Sequence, residues 1–236
     1  MSVPLVPCGQ CMSGTLMLRI EAMPMPLTVE EPSPQPSSGA PGEGATVVTA
    51  AGTLTLLREW QSVCDAVAAG RDQLLIRKGG IAEGRAGFEL KKSFFGLLPT
   101  LFHQVKNGDP SADTPEPPRV VSLICQLVEA FAVPSETDLS SLAELHGYTP
   151  EQLAARQTYK TERPLNLLIV RPFRLKAPID LGAASVKQSC KSWVEVPLAQ
   201  PMGGIEPVSE MAAIEATITK LRNLIEALPA VTRIPS

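Results

Sequence analysis

No stretch of this sequence reaches the roughly 18 to 20 continuous apolar residues that a bilayer-spanning helix needs. Its best apolar runs, around Leu74–Ile76 and Leu167–Val170, are strand-sized. The first twenty residues lack a basic n-region, and Pro4 and Pro7 stand where a signal peptide needs an apolar helix. Cys8 follows a proline rather than a small residue, which argues against a lipoprotein site. The expectation is a soluble, cytoplasmic protein with no membrane partner. Histidine is nearly missing, with only His103 and His146. The five cysteines (8, 11, 64, 125 and 190) are odd in number and have no framework spacing. Cys8-Gly-Gln-Cys11 is a CxxC, but no second CxxC or His pair completes the four ligands of a structural zinc site. No Walker A, GxSxG, HExxH or GxGxxG motif occurs, so neither a metal nor a cofactor is expected.

What is present divides the chain in two. Eight of the 23 prolines fall in the first 50 residues, and "EEPSPQPSSGAPGEGA" (30–45) has almost nothing to bury. Such a composition cannot recover its ordering entropy, so residues 1–51 are expected to form a disordered, proline-rich tail. Five of the seven methionines (1, 12, 17, 23 and 25) crowd that region, which makes Met23 or Met25 an alternative translation start. The remainder, 52–236, is long enough for one domain with a real core.

Periodicity gives the elements. "TLLREWQSVCDAVAAG" places Leu56, Trp60, Val63, Cys64 and Val67 on one helical stripe, with Thr53 or Thr55 as cap and Gly70 as terminator. "QLLIR" (73–77) reads as a buried strand, and "GFEL" (87–90) and "FFGLLPTLF" (94–102) as further strands, with Pro99 at an edge or bend. A loop rich in proline and aspartate follows at 107–118. "VVSLICQLVEAFAV" (120–133) fits strand or helix, its β-branched start favouring a strand there. "TPEQLAARQTYK" (149–160) is a helix capped by Thr149 with proline in its first turn. "PLNLLIVRPFRL" (164–175) is a strand broken near Pro172, and "KSWVEV" (191–196) alternates as another. "SEMAAIEATITKLRNLIEAL" (209–228) is a long amphipathic helix with Met211, Ile214, Ile218, Leu221, Ile225 and Leu228 inward. Without βα alternation, this predicts an α+β fold: a mainly antiparallel sheet, or a small partly open barrel, flanked by helices.

The net charge of −3 conceals blocks. Residues 58–106 carry eight bases against five acids, 107–155 one base against eight acids, and 156–193 eight bases against two acids. Basic blocks lying side by side would make a positive face for a phosphate-bearing partner; bases pairing with the acidic block would leave an ordinary solvated surface.

In their order along the chain, "LREWQSVCDAVAAG…LLIRKGGI", "FELKKSFFGLLPTLFHQ", "PLNLLIVRPFRL" and "SCKSWVEV" resemble a prokaryotic family known only as domain of unknown function 1802. The resemblance runs from about Leu54 to Val196. It implies no established activity, but that domain keeps company with restriction-type nuclease domains. It therefore implies a nucleic-acid-associated role beside a nuclease-type protein partner. Family members carry more acidic or His-bearing residues where this chain has Lys91-Lys92-Ser93, which counts against catalysis on that strand. More loosely, "AVAAGRDQLLIR" resembles the opening of PUA-like domains of the ASCH type, small β-barrels that bind RNA or modified bases.

The candidate site residues follow. Arg77 and Lys78 end a buried strand and run into Gly79-Gly80, where bare backbone N–H groups and two cations suit a phosphate. The same four residues also suit a plain hairpin turn. His103 is a candidate base or base-edge contact, or a strand-end residue with a satisfied hydrogen bond. Trp193, beside Lys191 and Ser192, is a candidate for stacking on a base, or else core. Arg171 joins them as a candidate phosphate contact from the second basic block. Glu89-Leu90-Lys91 matches the E-x-K half of a nuclease metal motif, with Asp72 or Glu59 as second carboxylate, although E-x-K is common on solvated strands. The leading expectation is a non-enzymatic, nucleic-acid-associated binding module; the alternatives are a metal-dependent nuclease using Asp72, Glu89 and Lys91, and a protein-interaction domain docking through its C-terminal helix.

Overall fold

The structure is a computed structural model that describes residues 52–78, 88–100, 119–182, 191–198 and 202–235. Its order is β1 (Thr53–Trp60), α1 (Gln61–Ala68), β2 (Leu74–Arg77), β3 (Phe94–Thr100), β4 (Val120–Val133), a 3-10 turn (Ser140–Leu145), α2 (Pro150–Thr158), β5 (Leu165–Asp180), β6 (Trp193–Pro197), β7 (Ile205–Pro207), α3 (Met211–Glu226) and β8 (Thr232–Ile234). This is the expected α+β class. The strands form one mixed eight-stranded sheet in the order β2-β5-β4-β3-β1-β6, with β7 on β5 and β8 on β4. Every pairing is antiparallel except β1 with β3.

Both faces of the sheet are buried, which explains the largest departure from the sequence reading. Residues 53–60 are a strand and not the first half of a helix. "TLTLL" alternates with period two, sending Leu54 and Leu56 into one apolar cluster and Leu57 into the other. With β3 on one side and β6 on the other, β1 satisfies its backbone in two ladders and buries both faces. The helix starts only at Gln61, with no side-chain cap, and Gly70 closes its end at φ 70°. Its Val63, Cys64 and Val67 are buried as the stripe required.

Other boundaries shift less. Phe88–Leu90 is irregular rather than strand, the remaining residue of that predicted strand lying outside the described residues. The loop predicted at 107–118 lies outside them too. β4 is strand throughout, and β5 runs on through Pro172, which sits opposite Cys125. The proline costs at most one rung, and its carbonyl accepts from Val208 N–H at 3.4 Å. Thr149 caps α2 in a reciprocal capping box with Gln152, as the sequence indicated. α3 buries Ile214, Ile218, Leu221 and Ile225, whereas Met211 is 39% exposed and not inward. β7, β8 and the 3-10 turn had no sequence reading; three-residue strands exist only because a neighbour supplies the ladder. No described helix is long and apolar enough to cross a membrane.

Candidate functional site

The sheet's edge strands, β2 and β6, share no ladder among the described residues, yet their ends meet through side chains. At that meeting lies the densest group of buried polar residues. Glu59 occupies its centre, on the face of β1 that also carries Leu57, with its side chain fully buried. Its Oε2 accepts from Arg77 Nη1 (2.9 Å) and the Tyr148 hydroxyl (2.9 Å). Its Oε1 accepts from Arg156 Nη2 (2.9 Å) and Trp60 N–H (2.9 Å). Burial alone would push this carboxyl up, but Arg156, Arg77 and the two further donors outweigh it and hold Glu59 below its ordinary value. Glu59 is a fixed anion with four donors, so it has no lone pair left for a metal or a substrate proton.

Each donor is positioned by its own element. α2 brings Arg156 over the ring of Trp60 (4.1 Å) and beside that of Tyr148 (4.8 Å). The Tyr148 hydroxyl also accepts from Ile76 N–H at 3.1 Å, covering the outer edge of β2 where another chain could otherwise pair. Arg77, at the end of β2, turns its second nitrogen to Ser192 Oγ (2.8 Å) and lies 5.7 Å from the ring centroid of Phe88. Phe88 stacks on Trp193 at 5.7 Å, and Trp193 Nε1 donates to the Glu89 carbonyl at 2.7 Å. Lys78 donates to Ser135 Oγ and to the Gln157 carbonyl in the last turn of α2. Burial lowers its ammonium, with Glu162 and Glu136 pulling the other way.

The structure thus brings Arg77, Ser192 and Trp193 together, with Lys78 beside Arg77 in the chain, but in the interior. Arg77 and Lys78 are 8% and 3% exposed, so they do not share a solvent face with the other predicted cations. Arg171 pairs with Glu215 (2.6 Å) and Gln126 (2.7 Å), and Arg174 donates to the Ala68 carbonyl (2.7 Å). Much of the second basic block is therefore spent internally. Lys191 is at the surface. Gly79, Gly80 and His103 lie outside the described residues, as do Cys8 and Cys11. Asp72 is completely buried, whereas Glu89 and Lys91 are exposed. Among the described residues no three His, Cys, Asp or Glu side chains are grouped to hold a metal. Tyr148, Arg156 and Ser135 were not foreseen. They lie 89, 97 and 57 residues from the groups they engage, and no local pattern marks them.

Fold and site together define an α+β protein whose curled mixed sheet is locked by a buried carboxylate between two arginines. The chain belongs to the family described as Domain of unknown function (DUF1802), whose model matches residues 56–219. No curated protein matches it. Among solved structures it is similar to ASCH from Zymomonas mobilis, at 11% identity and a TM-score of 0.38, covering 74% of this chain and 94% of that one. A mutant of the same protein matches at 11% identity and a TM-score of 0.37, covering 71% of this chain and 94% of that one. Likenesses of this size decide neither fold nor function.

Proposed function

We propose that the protein is a cytoplasmic, non-catalytic module that binds nucleic acid through the surface bearing Lys91, Lys92 and Lys191. The supporting observation is the 2.7 Å bond from Trp193 Nε1 to the Glu89 carbonyl. It holds residues 88–93 against the start of β6, so three exposed lysines from two distant segments lie within three residues of one bond. The stacked rings of Phe88 and Trp193 give both segments a rigid floor. Glu89 and Glu195 are the exposed acids within the same reach, which leaves the group a net +1. Lysines on a surface act as point charges for a phosphate backbone and carry little base selectivity. Catalysis is disfavoured because Glu59 is saturated with donors and Asp72 is interior, whereas Glu89 and Lys91 are exposed.

An anisotropy titration against single- and double-stranded DNA and RNA, at two or more salt concentrations, tests this. Binding is expected to weaken with salt as counterions are released. Replacing Lys91, Lys92 and Lys191 together by Ala is expected to lower affinity and flatten the log–log salt slope by up to about three units. Lys220→Ala, on the exposed face of α3, serves as the control that should change nothing. Absence of binding to all four nucleic acids at low salt would overturn the reading.

A further inference from the structure

Glu59 and Asp72 are the two fully buried carboxylates among the described residues, and the fold treats them oppositely. Glu59 has two arginines. Asp72, in the turn between α1 and β2, has none in contact. Its Oδ1 accepts from Leu74 N–H (2.8 Å) and its Oδ2 from Gly147 N–H (2.8 Å). The fit at Gly147 has no slack: a Cβ there would stand 2.8 Å from Ala66 Cβ and 3.1 Å from Asp72 Oδ2. The carboxyl is therefore the seat of the 146–148 segment, which carries Tyr148 to Ile76 and Glu59.

The ionisable groups around this seat offer no compensating cation. Glu59 on β1 interacts with the Asp72 charge unfavourably, while Tyr148 beside Gly147 and Cys125 on β4 are held in their neutral forms chiefly by burial. α1, packed at Gly147, carries buried Cys64 and exposed Asp65, which accepts from Gln61 instead. His146 is pulled down by its own burial, which favours its neutral form. Arg77 and Arg156 point to Glu59 instead.

We propose that Asp72 is a proton-operated latch: neutral, it seats Gly147 and Tyr148 against β2, and losing its proton loosens that seat. Burial pushes Asp72 up to about 7, more than the two backbone N–H bonds lower it, with Glu59 adding to the rise. In a locally opened state the carboxyl meets water and returns towards its ordinary value near 3.8. The closed form binds its proton more tightly, so its advantage is complete below the ordinary value. That advantage falls about tenfold per pH unit until the closed-state value is passed, and is constant above it. The latch thus loosens on approaching neutrality from the acid side.

The test uses the full chain. Amide exchange by NMR at several pH values between 5 and 8, expressed as protection factors, should show Gly147 losing about tenfold per unit from pH 5 to 7 and then levelling. A carbon-13 carboxyl titration should place the Asp72 midpoint near 7. In Asp72→Asn the slope should vanish. A native midpoint near 4, a Gly147 protection that ignores pH, or a slope that survives in Asp72→Asn would each overturn the proposal. If the variant does not fold, the two wild-type measurements decide alone.

Discussion

Arg77 and Ser192 are joined by a 2.8 Å hydrogen bond although they belong to opposite edges of the sheet. The strand order puts β2 first and β6 last, so this bond exists only because the sheet curls until its margins meet. Glu59 strengthens the closure, since Arg77 reaches it with the other terminal nitrogen at 2.9 Å. Side chains here complete what a backbone ladder completes in a closed barrel.

The closure should be costly to break from its centre. Glu59→Gln leaves two buried guanidiniums facing a neutral amide, and breaking a buried pair from one side costs about 3–5 kcal/mol. Equilibrium urea unfolding measures the loss. A change below about 1 kcal/mol would mean that the arginines escape to water.

The two interior carboxylates should act on stability in opposite pH windows. Glu59 is depressed in the fold, so its contribution is present above the unfolded carboxyl value and lost as pH falls through the lower folded value. Asp72 is raised, so its contribution is full below its ordinary 3.8 and fades until pH about 7. Thermal unfolding from pH 3 to 8 should therefore peak on the acid side of neutrality. Asp72→Asn should remove the decline toward pH 7 and keep the acid loss.

α3 spends its apolar stripe on the domain's own core and leaves little for docking. Ile218, 1% exposed, should cost about 2–5 kcal/mol as Ile218→Ala, read by chemical denaturation. Met211→Ala, at an exposed position, should stay within about 0.5 kcal/mol. Equal effects would mean that the stripe is not packed as described.

Lys160 holds φ 46° just beyond α2, a left-handed conformation that glycine adopts freely. The strain for a residue with a Cβ is roughly 1–2 kcal/mol, and glycine's extra unfolded-state entropy removes about 0.5–1 of that. Lys160→Gly is therefore expected to raise stability by about 0.5–1 kcal/mol, seen as a higher denaturation midpoint. A lower midpoint would show that the Lys160 ammonium, 5.2 Å from the Tyr159 ring, matters more than the backbone.

Much of the fold was legible because its signals are local. The capping box at Thr149, the buried stripe of α3, the strands at Leu74–Arg77 and Trp193–Pro197, and the α+β class all follow from residues near one another. The misread segment, 53–60, failed for the complementary reason. Its leucines fit a helical stripe and a two-faced strand equally, and the decision belonged to β3 and β6, which flank it. Of the site, the sequence picked out Arg77, Lys78, Ser192 and Trp193 only within a longer set of candidates that also held Gly79, Gly80, His103, Arg171 and Lys191, and it missed the partners Tyr148 and Arg156.

Composition and order of residues by themselves determined the α+β class, most of the longer elements, the family and the unequal distribution of charge. Tertiary structure alone decided which charges meet water. Arg77 and Lys78 read as a surface pair, yet the curl of the sheet gives Arg77 a carboxylate 18 residues away and Lys78 a carbonyl 79 residues away. A cation goes inside only where the fold supplies such partners, because burying it without them costs more than the chain's whole margin of stability.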